Sequence, residues 1–231
     1  MRLPLINLTA PLPGTERKGM DLELADAIFI EAKCELVISD GVSRLRRDLM
    51  FSQGQVDLML AASNTPERQA IARFSTAYRM EVVRLFTTAE SLARYDGVKG
   101  FDDIVRLGER LLVPTGGWYG NDYAAAEPKL QARGQLSTYK NFDQGLKMLE
   151  AGRGGLIMGD FLGVNKAAAK AGLRVAPLAY VVLRAPVHLM LSRASTSEQD
   201  LQRIDAAIAR LEARGVLKGI RHKYCDSCDP E

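Results

Sequence analysis

One rhythm runs through nearly the whole chain. A short apolar run is followed by a polar or glycine-bearing break, and then by a helix-length stretch with apolar residues three or four apart. Short apolar runs bounded by turn residues read as buried strands, and longer stretches of 3.6-residue period read as amphipathic helices. Strands are expected at 4–9, 35–39, from Val56 to Ala61, and at 81–88, 110–114, 136–140 and 154–159. Two late strands follow, "LRVAP" and 186–192. Helices are expected from Met20 to Lys33, where Leu22, Ala25, Phe29 and Ala32 share a face, and over 43–54, with Ser43 as N-cap and Gly54 at the end. Further helices fall at 122–132, 141–152, from Asp160, over 197–213, and over the last stretch, "GVLKGIRHKY". Strand–helix alternation of this kind predicts an α/β fold of mainly parallel sheets flanked by helices.

Parallel sheets bind ligands outside the carboxyl ends of their strands. That rule selects three loops, 63–68, 115–121 and 159–161. In "SNTPER", Thr65, Pro66 and Glu67 have the makings of a helix start, since proline is suited to the first helical position. Arg68 then reads in two ways: as a solvated helix residue, or as a guanidinium folded back to clamp a carboxylate beside Ser63 and Thr65. The turn "TGGWYG" places Thr115, Gly116, Gly117 and Trp118 between a strand and a helix, where backbone amides can meet an anion. Asp160 closes the strand "GGLIMG" and reads equally as a helix cap.

Composition narrows the function class. The 231 residues can form one domain or two of about 100 residues. An apolar fraction of 47% and a charged fraction of 26% are those of an ordinary globular chain. No apolar run is long enough for a membrane-spanning helix. The net charge is +3, with basic residues scattered among acids and no aromatic-interleaved basic tract, so no nucleic-acid partner is expected. The start "MRLPLINLTAPLP" lacks the apolar core and small-residue cleavage site of a signal peptide. A cytoplasmic protein and one whose signal has been removed both stay open.

Three cysteines are too few for a disulfide scaffold. Cys225 and Cys228 form a CxxC at the chain end, but zinc needs further ligands, and His188 and His222 do not make a second pair at ligand spacing. A redox CxxC belongs at a helix start after a strand. A terminal disulfide and two free thiols are both open readings, and Cys34 reads as a buried helix-end residue. No metal site, cofactor or catalytic group is expected. No carboxylate pair stands out, and His188 falls inside a late strand.

Five segments, in order, resemble the family 3 extracellular solute-binding proteins, the polar amino acid receptors of ABC importers. "GMDLELADAI" is similar to the family's opening helix. "GQVDLMLAASNTPERQAIARFSTAY" is similar to its central strand–loop segment, with Thr65, Arg68, Phe74, Ser75 and Tyr78 in place. "LLVPTGGWYGNDY", "AGRGGLIMGDFLGVN" and the tail from "LMLSRAST" resemble its later strands and closing helices. The resemblance implies a two-lobed type II periplasmic-binding fold joined by two hinge strands near 82–88 and 185–191. Lobe 1 would comprise residues 1–86 with 187–231, and lobe 2 residues 87–186. It further implies a monomeric, periplasmic protein that is not an enzyme, holds a small amino acid or organic acid, and passes it to an ABC permease. Arg68, with Ser63, Thr65 and the turn at 115–118, would take the ligand carboxylate, and Asp160 in the other lobe would take the ammonium. A ligand-sensing module and a dehydratase-like enzyme are the alternatives on the same fold.

This chain departs from the family pattern at three places. The loop at 61–68 is one residue short, with Ala62 near a usual glycine. Leu12 and Arg44 stand where the family carries aromatic side chains against the ligand. Arg44 would add a second positive charge at a helix N-terminus, which points to a ligand with an extra acidic group.

Overall fold

The computed structural model describes residues 2–6, 19–38, 44–225 and 230. In chain order the strands and helices are β1 (Arg2–Ile6), α1 (Met20–Glu31), β2 (Glu35–Ile38), α2 (Arg44–Ser52), β3 (Leu58–Ala62), α3 (Pro66–Gln69), β4 (Ala72–Phe74) and β5 (Arg79–Thr88). After a 3-10 helix at Ala89–Tyr95 come α4 (Phe101–Leu107), β6 (Leu111–Pro114), α5 (Asn121–Ala132), β7 (Leu136–Tyr139) and α6 (Phe142–Glu150). The chain finishes with β8 (Leu156–Asp160), α7 (Phe161–Ala171), β9 (Val175–Ser192), α8 (Glu198–Ala213) and α9 (Val216–His222). It divides into two compact units, Met1–Met80 with Pro186–Glu231, and Glu81–Ala185. Both boundaries fall inside strands, β5 and β9.

In the first unit β1 lies parallel to β2 and β3, while β3 and β4 each pair antiparallel with the second half of β9. Phe51, Val56, Met59, Ala62, Ala72 and Met190 form one buried cluster. The helix α1 buries Leu24, Ile28 and Phe29, and it packs against α8 and α9. The apolar face of α8 is Ile204, Ala207, Ile208 and Leu211, at helical spacing, so one stripe is buried while the rest stays wet. A reciprocal cap starts this helix: Ser197 accepts from the Asp200 N–H, and Asp200 accepts from the Ser197 N–H.

The second unit buries its sheet on both faces. β5 pairs antiparallel with β8, and β6 pairs in parallel with both β8 and β7. Side chains alternate between faces along a strand. Accordingly, Val83, Leu85, Leu111, Val113, Leu156 and Met158 enter one cluster, and Phe86, Leu112 and Ile157 enter another. Strands buried twice over are apolar throughout, which is why these runs are easy to read.

The two late strands expected from sequence are one, the 18 residues of β9. Pro177 and Pro186 look like interruptions, because proline donates no ladder hydrogen bond. The strand instead runs past both of them, half-exposed on either side of Leu178 and almost wholly buried from Val187 to Ser192. β4, three residues long, is too short to show a period and was not anticipated. Antiparallel pairing arises where β5 and β9 lie among parallel neighbours, so the sheet is mixed. Cys34 is buried with a free thiol, and Cys225 is disulfide-bonded; Cys228 lies outside the described residues. No described helix is long and apolar enough to cross a membrane.

Candidate functional site

The loop after β3 begins with an irregularity. Met59 pairs with Met190 and Ala62 with His188, so three steps along β3 match two along β9. This is a β-bulge, an extra residue that bends the strand and takes one peptide out of the ladder. Within it Ala61 has φ of 51°, a left-handed conformation that alanine adopts only under constraint. Beyond the bulge the hydroxyl-bearing Ser63 and Thr65 are both buried, at 7% exposure each.

Thr65 occupies the N-cap position of α3 with Pro66 as the first helical residue, yet its side chain makes no capping hydrogen bond. Its hydroxyl bonds the Glu67 carboxylate instead. Together with the Glu67 backbone N–H, the larger cause, it lowers the Glu67 pKa below the ordinary value. Arg68 folds back over the loop, and its Nη1 donates to the Ser63 carbonyl at 2.9 Å. Gln69 Nε2 donates to Asn64 Oδ1 at 2.8 Å. Ser63, Thr65 and Arg68 are therefore gathered in a single closed loop.

In the second unit the loops after β6 and β8 leave neighbouring parallel strands. Thr115 uses both its N–H (2.8 Å) and its hydroxyl (3.0 Å) on the Tyr139 carbonyl, so the β6–β7 ladder extends one residue past the strand. Gly116, Gly117 and Gly120 follow with φ of 71°, 123° and 90°. The tightest is Gly117, where an added Cβ would lie 2.5 Å from the Tyr119 hydroxyl oxygen. That hydroxyl donates to the Gly116 carbonyl at 3.0 Å, so the turn is closed by its own tyrosine. Trp118 is half-buried.

Asp160 ends β8 and caps α7, its Oδ1 accepting from the Gly163 N–H at 2.8 Å. It also contributes to the electrostatics of Tyr139. Burial is the main cause that raises the Tyr139 hydroxyl well above its usual value, with the charges of Tyr119 and Asp160 adding to it. Tyr139 stays protonated and donates to the Met158 carbonyl at 2.6 Å.

The remaining expected site residues are placed only in part. Arg44 is the first residue of α2, and its side chain lies outside the described residues, as does Leu12. His188 is a packed residue. Its Nδ1 stands 2.7 Å from the Ser75 carbonyl, which can only accept, so Nδ1 carries the proton. Its ring meets that of Phe74 edge to face. Among the described residues no group of three or more His, Cys, Asp or Glu could hold a metal ion.

Comparison with known proteins gives one family. The model for the bacterial extracellular solute-binding proteins, family 3, matches residues 11–227. No curated protein matches the chain in sequence. Among solved structures, a mutant of ArgBP from T. maritima superposes with a TM-score of 0.76 at 18% identity, covering 95% of this chain and 93% of that one. An amino acid ABC transporter substrate-binding protein from Streptococcus pneumoniae, bound to L-arginine, gives 0.74 at 20% identity over 93% and 86% of the two chains. The GluR0 ligand-binding core from Nostoc punctiforme, in complex with L-glutamate, gives 0.71 at 17% identity over 96% and 98%. These superpositions show a shared fold, the type II periplasmic-binding architecture.

Proposed function

This chain belongs to the bacterial extracellular solute-binding proteins of family 3, and on that premise we propose that its solute is a small amino acid or organic acid held through its carboxylate by Arg68. The observation that carries the reading is the fold-back of Arg68 onto the Ser63 carbonyl, beside the buried hydroxyls of Ser63 and Thr65. A guanidinium presents five donors in a planar fork, a geometry that carboxylates match.

In this reading Ser63 and Thr65 add hydroxyl donors, and Thr115, Gly116, Gly117 and Trp118 are further ligand contacts. Asp160 takes the ammonium of an amino acid. A ligand that engages both units stabilises the state in which both hold it, and a ligand touching one unit alone does not. Leu12 and Arg44, in place of aromatic groups, favour a ligand with a second acid, such as a dicarboxylic amino acid. The protein acts outside the cytoplasm as a monomer, delivers its solute to an ABC permease, and catalyses no reaction.

Calorimetry against acidic, neutral, basic and aromatic amino acids tests the ligand class. Tight binding of a basic or aromatic amino acid with none for acidic ones removes Arg44 from the site. Arg68→Ala is expected to leave folding nearly intact and weaken binding of the preferred amino acid by about 2–5 kcal/mol, the cost of leaving one charge partner missing. Unchanged affinity would make Arg68 a surface residue of α3.

A further inference from the structure

We propose that the Tyr78 hydroxyl, backed by Asp21 and Arg79, is the positioning group that holds the loop at 61–68 in its ligand-ready form; the inference rests on reading that loop as the carboxylate subsite. The need for such a group comes from Ala61. The bulge in β3 carries Ala61 in left-handed backbone, a place where glycine is at ease and alanine is not. The same bulge takes one peptide out of the ladder, and the Ala61 N–H donates to Tyr78 Oη at 2.9 Å. One side chain thus satisfies that amide and holds the left-handed backbone.

Tyr78 is completely buried and fixed at every polar atom. Its N–H donates to the Val187 carbonyl at 3.2 Å, and its carbonyl accepts from Arg221 Nη1 at 3.0 Å. Its hydroxyl proton goes to Asp21 Oδ1 at 2.7 Å. A hydroxyl has a single proton, so with that proton committed the oxygen must accept from Ala61.

Asp21 enforces the direction. Arg79 grips both of its oxygens, Nε to Oδ1 at 2.6 Å and Nη2 to Oδ2 at 2.8 Å. Burial pushes the Asp21 carboxyl up, but the charge and hydrogen bonds of Arg79 and the bond from Tyr78 outweigh it and bring it below the ordinary value. At neutral pH the carboxylate is therefore ionised and can only accept. The order runs from Arg79 to Asp21 to Tyr78 to Ala61. Two residues beyond Ala61 is Ser63, whose carbonyl sets where the Arg68 guanidinium lands.

The test separates this device from the ligand reading. Tyr78→Phe removes only the hydroxyl. In the ligand-free protein, hydrogen exchange of peptides covering 58–68 should speed up about tenfold, while peptides from Glu81–Ala185 should not change. L-Glutamate, the probe that the Arg44 substitution selects, should bind about tenfold more weakly. Adding Ala61→Gly to Tyr78→Phe should restore binding but not slow exchange, because glycine takes the left-handed backbone without steric cost while the residue 61 amide still lacks its acceptor.

Unchanged exchange over 58–68 in Tyr78→Phe overturns the proposal, as does a double variant that regains stability but not binding. Arg68→Ala should weaken glutamate binding and leave the exchange at Ala61 as it was. Loss of the ligand subsite and loss of the positioning device are thereby told apart, and if glutamate does not bind at all the exchange measurements decide alone. Should Tyr78→Phe fail to fold, the exchange of the Ala61 amide in the unaltered protein decides. It should be at least a hundredfold slower than that of Asn64, and an equally fast rate overturns the proposal.

Discussion

The loop after β3 and the turn after β6 both leave their strands through left-handed backbone, yet they secure it by different means. The turn uses glycine at all three such positions, Gly116, Gly117 and Gly120, and it closes on itself through the Tyr119 hydroxyl. The loop places alanine there, and the oxygen that accepts its N–H belongs to Tyr78, 17 positions away, which in turn leans on Asp21, 57 positions from Tyr78. The left-handed part of the turn is thus held mostly from within, with Thr115 tying its start to the Tyr139 carbonyl. The loop is a tertiary structure, and its shape reports the integrity of the unit around it.

The largest break in that contrast should come from Arg79→Ala. It leaves the Asp21 carboxylate without its buried partner, and about 3–5 kcal/mol of stability should be lost, read by denaturant unfolding. The loop at 61–68 should loosen with it, while the turn at 115–121 stays protected from exchange. The same pair predicts an acid response. The Asp21 pKa is lowered in the folded protein, so its contribution is present above the ordinary value of 3.8 and fades as pH falls through the folded value. Melting temperatures measured from about pH 6 down to pH 2 should fall more steeply for the unaltered protein than for Arg79→Ala.

The converse break is Gly117→Ala, which puts a side chain on backbone at φ 123° and against the Tyr119 ring. About 1–3 kcal/mol should be lost, with the disturbance confined to the turn. Spread of the effect to peptides at 61–68 would show that the two loops are not independent. The smallest effect on stability is expected from Asp160→Asn, since asparagine caps a helix about as well as aspartate. Stability should stay within about 0.5 kcal/mol, whereas binding of an amino acid should weaken. If binding is also unchanged, the carboxylate serves α7 alone.

Much of this was legible in the chain. Runs such as "LLV" and "LIM" are buried on both faces and so announce themselves as strands. The three loops at strand ends followed directly from them. The bulge and Tyr78 were harder to read. An alanine in left-handed conformation carries no sequence mark, and the departure near Ala62 hinted only that the loop is unusual. The bond between Tyr78 and Asp21 joins two residues far apart in sequence, and only tertiary packing makes it visible. β9 was missed for the opposite reason: its prolines are strong local punctuation that the surrounding strand overrides. Asp160 was read with two roles, and the capping role is present in the structure, through Gly163.

Because β9 crosses from one unit to the other, the two cannot be finished in the same order as they are translated. The strand that completes the sheet beside β3 arrives only after all of Glu81–Ala185 has been made. Until then β3 presents an unpaired edge to the cell, with its apolar side chains not yet covered, while the contiguous second unit already has everything needed to close. A ribosome that stalls before Pro186 would release a chain with one folded half and one sticky half. Chaperone dependence should accordingly track the wait for the segment from Pro186 onward rather than the overall length.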